Sequence, residues 1–239
     1  KKTILEVLDR VQHADTPEGW SKQIIVVDNG VNRVAADRLP EGVTLYQLPP
    51  RVGASRSRNF GAAMASGSYL AFLDDDDWWD PDFLRETWSV MQAEQTRAAY
   101  GRKDVFRDGQ VQRYKCPTPA TLTIPVLLNS NPGTGGQNFV VSKELFWRAG
   151  GFTENLRVSN DKAFAIDLLL TGEKVSIAPE AAAVLRVHDG PRLRHERLHR
   201  LRFIWRYRAL YGPRRAITKS VGLIVKYTFH KLRRVIVRR

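Results

Sequence analysis

Residues Tyr69 to Trp79 read Tyr-Leu-Ala-Phe-Leu-Asp-Asp-Asp-Asp-Trp-Trp, an apolar run of strand length that stops abruptly in four consecutive carboxylates, Asp74 to Asp77. The turn-and-helix signal Asp80-Pro81-Asp82 follows at once, so the stretch predicts a strand, an acidic turn and a helix. Four adjacent acids repel one another. Such a run at the carboxyl end of a buried strand is tolerable where a divalent cation or a cationic ligand offsets the repulsion, and hard oxygen donors suit magnesium or manganese. Taken alone, the cluster fits equally well a solvated acidic turn that caps the next helix.

The chain around it, 239 residues with 43% hydrophobic side chains, is enough for one large domain, or one domain with an appendage, and excludes a disordered polymer. A single cysteine, Cys116, excludes an internal disulfide framework and a cysteine-based zinc cluster, and fits a reducing compartment. No signal peptide is visible and no apolar stretch approaches the roughly 18 to 20 residues of a membrane span. The expectation is a cytoplasmic protein, free or bound peripherally to the inner face of the cytoplasmic membrane.

The formal net charge of +13 is unevenly placed. From Pro191 to Arg239 there are 16 Lys and Arg against one acid, Glu196, giving +15, so residues 1–190 carry 13 − 15 = −2. Charge and turn composition therefore divide the chain into a main domain, 1–190, and a basic extension, 191–239. Neither an internal repeat nor a low-complexity segment is present.

Taken in order, Ile4, Leu5, Leu8 and Val11 recur at helical spacing and predict an opening helix. Ile24 to Val27 is a continuous apolar run, read as a buried parallel strand ending in the turn Asp28-Asn29-Gly30. Val43 to Leu48 alternates as a shorter strand. Ser55 to Ala65 reads as a helix entered through Gly53, and Gly67-Ser68 ends it before the central strand that leads into the acids. This alternation predicts an α/β sheet with helices on both faces, in which ligands gather beyond the carboxyl ends of the strands, where Asp28 and Asp74 to Asp77 fall.

Ile24 to Gly30 resembles the strand-Asp-Asp-Gly-Ser element of family 2 glycosyltransferases of GT-A fold. Gly53-Ala54-Ser55-Arg56-Ser57-Arg58-Asn59-Phe60-Gly61 is similar to their Gly-x-x-x-Ala-Arg-Asn-x-Gly stretch, and Leu73 to Trp79 to their Asp-x-Asp-Asp motif. Gly150-Gly151-Phe152-Thr153-Glu154 with Asn160-Asp161 resembles their Gly-Gly-Phe-Asp-Glu and Glu-Asp pair, and Arg186-Val187-His188 their late Arg-x-His. Five elements in order are far more specific than any one, and they cover roughly residues 20–190.

The resemblance implies a mixed, Rossmann-like GT-A sheet and inverting transfer of a sugar from a nucleotide-diphosphate donor, a UDP-sugar first, to a hydroxyl of a glycan or lipid-linked acceptor. It implies Mn2+ or Mg2+ held by Asp76 and Asp77 with His188, and Asp74 or Asp75 either joining them or holding the ribose. Asp28 and Asn29 would face the base, and Arg58, beside Asn59 at a helix start, the nucleotide or diphosphate. Asp161 is the candidate base that takes the acceptor's proton; as an acid in a first helical turn, after Ser159 or Asn160, it also suits the helix dipole alone. The loop Gly133-Thr134-Gly135-Gly136-Gln137-Asn138 would let Gly135 and Gly136 bring backbone close to the donor.

Three features depart from the family pattern. Asn29 and Asn160 stand where carboxylates are usual, and an amide can both accept and donate. The family also begins with an apolar strand, ending in Pro-Thr-x-Asn, that lies centrally in the sheet. Nothing before Lys1 supplies it, which leads to the expectation of further residues upstream.

In the extension, His195-Glu196-Arg197-Leu198-His199 matches a zinc-peptidase pattern, but Arg192, Arg194, Arg197, Arg200 and Arg202 surround it and disfavour a cation, so a solvated basic helix is the better reading. Beyond Pro213, helical spacing places Ile217, Val221, Ile224, Val225, Leu232, Val235 and Ile236 on one side and Lys219, Lys226, Arg233 and Arg234 opposite. That pattern fits an interfacial helix on an anionic membrane, a helix packed on the domain's own core, or an oligomer contact. The competing function is a degenerate GT-A-like module that docks on an anionic membrane or nucleic acid through 191–239. Phe203, Trp205 and Tyr207 interleave with the cations, but no nucleic-acid motif accompanies them.

Overall fold

The computed structural model describes residues 2–187 and 199–236. His188 and the first four residues of the zinc-like motif, His195 to Leu198, lie outside them. α1 (Lys2–His13) is the expected opening helix, with Val7 and Leu8 buried and Leu5 turned outward. β1 (Ile24–Asp28) and β2 (Val43–Gln47) pair in parallel, Ile24 opposite Val43 and Asp28 opposite Gln47. α2 (Ala54–Met64) starts after Gly53, whose φ of +95° is open to a residue without Cβ.

The apolar run before the acids forms only a short strand, β3 (Tyr69–Ala71), because Phe72 leaves the ladder to enter the core. The acids occupy the turn to β4 (Trp78–Trp79), and α3 (Phe83–Ala93) follows. Next come β5 (Ala98–Arg107), β6 (Gln110–Lys115), α4 (Ile124–Asn129), β7 (Phe139–Ser142), α5 (Lys143–Arg148), α6 (Asn160–Leu170) and β8 (Ser176–Arg186). The extension contributes α7 (His199–Arg206), α8 (Arg208–Tyr211) and α9 (Pro213–Ile236).

Six strands form a mixed sheet in the order β3-β7-β5-β8-β4, with β6 on the second half of β5. Only β5 and β8 run parallel in it. These two long strands are its centre. β3 lies at its edge, contrary to the sequence reading, because its three residues pair only with β7.

β1 and β2 form a separate sheet. Its entry lies close to that of β3: the Trp20 and Tyr69 rings are 5.3 Å apart, and Ser66 N donates to Gln23 Oε1 at 2.7 Å. Among the described residues no ladder joins the two sheets, and Ile24 to Val27 are only half-buried, where a continuous apolar run predicts burial on both faces.

α3 covers one face of the large sheet through Phe83 and Met91, which pack with Trp79, Ala99, Val140 and Ala178. On the other face Phe72, Phe139, Phe146, Phe152 and Phe164 form one aromatic cluster with centroids 5.0 to 6.0 Å apart. Burial of each such ring contributes roughly 1.5–3 kcal/mol. Phe203, Ile204, Tyr207, Tyr211 and Ala216 extend this second core, so residues 203–216 of the basic extension pack on the domain itself. Among the described residues no helix is long and apolar enough to cross a membrane.

Candidate active site

The start of α2 gathers the site. Five consecutive side chains, Ser55 to Asn59, reach five partners remote in sequence. Ser55 Oγ accepts from Asn160 Nδ2 at 3.0 Å, next to Asp161. Arg56 Nε donates to Glu154 Oε2 at 2.9 Å. Ser57 Oγ accepts from Asn29 Nδ2 at 2.8 Å, at the end of β1. Arg58 Nη2 donates to Asp74 Oδ1. Asn59 grips the Phe152 peptide, donating to its carbonyl and accepting from its N–H, both at 2.8 Å. The sequence reading named Arg58 and Asn59 but missed Ser55 and Ser57, whose only signal is two small hydroxyls in the first turns of a helix.

Several expected ligands already have internal partners. Asp28 is buried and accepts from Gly30 N and Val34 N, each at 2.8 Å, so both oxygens shape the loop after β1. Arg58 lies against the Phe152 ring, with Cζ 5.2 Å from its centroid. A Cβ on Gly136 would come within 2.6 Å of that Cζ, and one on Gly135 within 2.6 Å of Gln137 Oε1. Here the two glycines make room for Arg58 and for a tight turn. The loop around them is pinned by Trp79 Nε1 to Gln137 O at 2.7 Å and by Asn138 Nδ2 to Gly101 O at 2.7 Å. The sequence reading passed over Trp79, Gln137 and Asn138 as polar anchors.

Asp161 opens α6. Its Oδ2 accepts from Asn131 Nδ2 at 3.3 Å and its Oδ1 from Lys162 N at 2.9 Å. Ser159, in left-handed conformation at φ +62°, is the N-cap residue without a side-chain capping bond, while Asn160 Oδ1 accepts from Asp161 N. The hydroxyl of Tyr100, wholly buried and without a hydrogen-bond partner, is held far above its ordinary pKa by burial, with the charge of Asp161 adding to the effect. Lys162 is pushed down to about 8 by burial, against the pull of Asp161; its amine donates to Leu127 O at 3.0 Å and lies 4.4 Å from the Phe203 ring centroid.

The acid turn is electrostatically strained. Asp77 is fully buried and pushed up to about 8, chiefly by burial and then by the charge of Asp74. Its Oδ1 accepts from Arg186 N at 2.9 Å, which brings the acids to the end of β8, two residues short of His188. Its Oδ2 is buried and has no hydrogen-bond partner among the described residues. Asp75 is also raised, by desolvation and then by Asp76 and Asp74. Hard oxygens and an orphaned buried carboxylate oxygen suit Mg2+ or Mn2+. Among the described residues no three His, Cys, Asp or Glu side chains converge enough to hold an ion.

With this geometry in view, the comparisons with known proteins agree with one another. The family model for glycosyl transferase family 2 matches residues 1–150. Succinoglycan biosynthesis protein ExoO of Rhizobium meliloti (strain 1021) is 26% identical over 204 residues, covering 77% of this chain and 58% of that protein. Among solved structures, S. aureus TarS 1–349 in complex with UDP-GlcNAc aligns with a TM-score of 0.63 at 18% identity, over 80% of this chain and 56% of that one. GalNAc-T7 with UDP, GalNAc and Mn2+ aligns with a TM-score of 0.58 at 16% identity, over 78% and 41%. These likenesses show the fold, the GT-A arrangement implied by the motifs. The chain spans about half the length of these relatives, from 41% to 58%.

Proposed function

The chain belongs to glycosyltransferase family 2, and from that premise we propose that it moves a hexosyl or N-acetylhexosaminyl group from a UDP-sugar to a hydroxyl of a glycan or lipid-linked acceptor, with inversion. The observation that carries the reading is the convergence at the start of α2, which ties Asn29, Asp74, the Phe152 loop and Asn160 into one cluster. The bound UDP of the TarS and GalNAc-T7 structures supports the choice of donor.

In this reading Asp161 takes the proton of the acceptor hydroxyl as that oxygen bonds to the anomeric carbon from the face opposite the diphosphate. The bond from that carbon to the diphosphate oxygen breaks, and its electron pair leaves with the nucleotide. Asn131 aims the carboxylate by donating to Oδ2. Arg58 turns from Asp74 to the diphosphate, where a guanidinium can bind bidentately, and so frees Asp74 for the ribose or the metal. Asp75 borders the ribose, and Gly135 and Gly136 let the loop backbone approach the donor beside Arg58. Asp28 shapes the loop that presents Asn29 to the base, and Asn59 holds the Phe152 loop beneath the donor. Mn2+ or Mg2+, held by Asp76 and Asp77 with His188, would neutralise charge on the departing diphosphate. A lipid-linked acceptor places the work at the inner face of the cytoplasmic membrane.

The test is Asp161→Asn. It should keep manganese-dependent thermal stabilisation by UDP-sugars while transfer falls by roughly 10²- to 10⁴-fold, because only the proton acceptor is lost. Transfer within a few-fold of the unaltered protein would move the base elsewhere. Absence of both donor hydrolysis and donor binding in the unaltered protein would favour the binding-module reading.

A further inference from the structure

α9 presents three different sides. Ala216 and Ser220 are buried and Leu223 packs against the core, which fixes one side inward. Ile217, Val221 and Val225 recur every four residues and are 54%, 54% and 59% exposed. At about 100° per residue they form a stripe well away from the buried side, with Arg214 beside it, whereas Arg215 donates to Asn129 Oδ1 and Lys219 Nζ lies 5.4 Å from the Tyr211 ring centroid, both against the domain. The packed side consists of the small Ala216 and Ser220 with Leu223, while Ile217, Val221 and Val225 face outward, so the stripe is not what attaches the helix to the domain. Trp205 and Leu210, on the adjoining helices, are 48% and 41% exposed.

Charge narrows the choice of occupant. Residues 199–236 contain Arg200, Arg202, Arg206, Arg208, Arg214, Arg215, Lys219, Lys226, Lys231, Arg233 and Arg234 and no Asp or Glu. A second copy of this face would set cations against cations, and close like charges oppose association. An anionic bilayer complements both features, taking the apolar stripe at the acyl boundary and the cations among its phosphates.

We propose that α9 lies in the interface of an anionic lipid bilayer, inserting Ile217, Val221 and Val225 and placing Arg214 at the headgroups. The consequence for catalysis rests on the transferase reading above. α8 is tied to α4 by the bond from the Tyr211 hydroxyl to Leu128 O, and Lys219 and Arg200 are close enough for their charges to act on Lys162, the neighbour of Asp161. With α9 docked, the start of α6 lies behind it, one helix away from the lipid surface at which a lipid-borne acceptor would arrive.

The full chain should float with vesicles of phosphatidylglycerol and phosphatidylcholine, bind phosphatidylcholine alone at least tenfold less well, and detach as salt rises. The triple variant Ile217→Ser, Val221→Ser, Val225→Ser should lose tenfold or more of anionic-vesicle binding with unchanged melting temperature and unchanged donor hydrolysis. Arg214→Gln should weaken binding and reduce its salt dependence. Equal flotation of the unaltered and triple-variant proteins, or equal binding to neutral vesicles, overturns the proposal. So does a triple variant that abolishes self-association in sedimentation while vesicle binding persists, which would make the stripe a contact between copies. Vesicle binding without donor hydrolysis in any form would sink the transferase reading and leave the docking intact.

Discussion

α2 and α9 invert the usual helix pattern in opposite ways. α2 buries Ser55 and Ser57 and keeps Arg58 mostly covered, whereas α9 exposes Ile217, Val221 and Val225 and buries Ala216 and Ser220. A buried hydroxyl or guanidinium costs stability unless it is hydrogen-bonded, and each of these in α2 is matched by a side chain from a different part of the chain. Exposed apolar side chains in a row gain nothing for the fold and mark contact with something else. Inside-out residues thus point to function in both helices, to a small polar ligand in the first and to a broad apolar surface in the second.

The contrast breaks most readily at Arg58. If its place under Gly136 serves the donor, Arg58→Ala should weaken nucleotide-sugar binding by roughly 10- to 100-fold, the range for a lost charge-assisted contact. Calorimetric titration measures it. Arg58→Lys should recover only part, since an ammonium cannot reproduce the planar fork. Unaltered donor affinity in Arg58→Ala would make the ion pair with Asp74 a purely structural feature of α2.

Asp77 sharpens the same side of the comparison. In the folded protein its carboxyl keeps a proton up to about pH 8, against an ordinary value of 3.8. Between these values the folded state binds more protons than the unfolded one, so stability falls as pH rises through the window, and the penalty is complete above pH 8. Asp77→Asn does not ionise and can still accept from Arg186 N. Without divalent cations it should be more stable than the unaltered protein at pH 7, by roughly 1–3 kcal/mol, and equal to it near pH 3.5. Added manganese should stabilise the unaltered protein and leave the variant behind. Chemical denaturation at the two pH values checks the sign, and lower stability of Asp77→Asn at pH 7 would contradict a buried, unfavourable charge.

Much of this was legible in the sequence because the relevant forces are local. α1, β1, α2 and α9 follow from apolar periodicity, and the acid turn from composition alone. What escaped the sequence depends on partners far along the chain. β3 looks central from its apolar run, but its place at the sheet edge is decided by β7, which alone pairs with it. Asp28 looks like a ligand at a strand end, yet the turn it begins aims Gly30 and Val34 N–H groups at its oxygens. Ser55 and Ser57 carry no pattern until Asn160 and Asn29 fold onto them. In α9 the periodicity of large apolar residues identified the outward stripe, whereas the inward one is small, Ala216 and Ser220, and so nearly silent.

Tyr207 tests whether the extension matters to the site at all. Between α7 and α8 its hydroxyl lies 3.0 Å from Ala163 O and 2.9 Å from Asp167 Oδ1, both on α6 behind Asp161. Tyr207→Phe keeps the ring and removes the polar anchor, so stability should fall by about 1 kcal/mol. If α7 positions α6, kcat should fall by more than that loss explains through unfolding, with KM for the donor unchanged. A stability loss without any change in kcat would confine α7 to packing.

The smallest effect is expected at the outward stripe. Ile217 is 54% exposed, and a side chain that touches little of its own protein contributes little to folding, so Ile217→Ser should change unfolding free energy by no more than about 0.5 kcal/mol. Ala216, one residue away and 1% exposed, sets the scale. Ala216→Ser places a hydroxyl in the packed side and should be the more destabilising of the two, although it is the smaller chemical change. Denaturant midpoints of the two variants measured together give the comparison directly. If Ile217→Ser proves the costlier one, the outward stripe is supporting the fold, and the distinction drawn between α2 and α9 fails at α9.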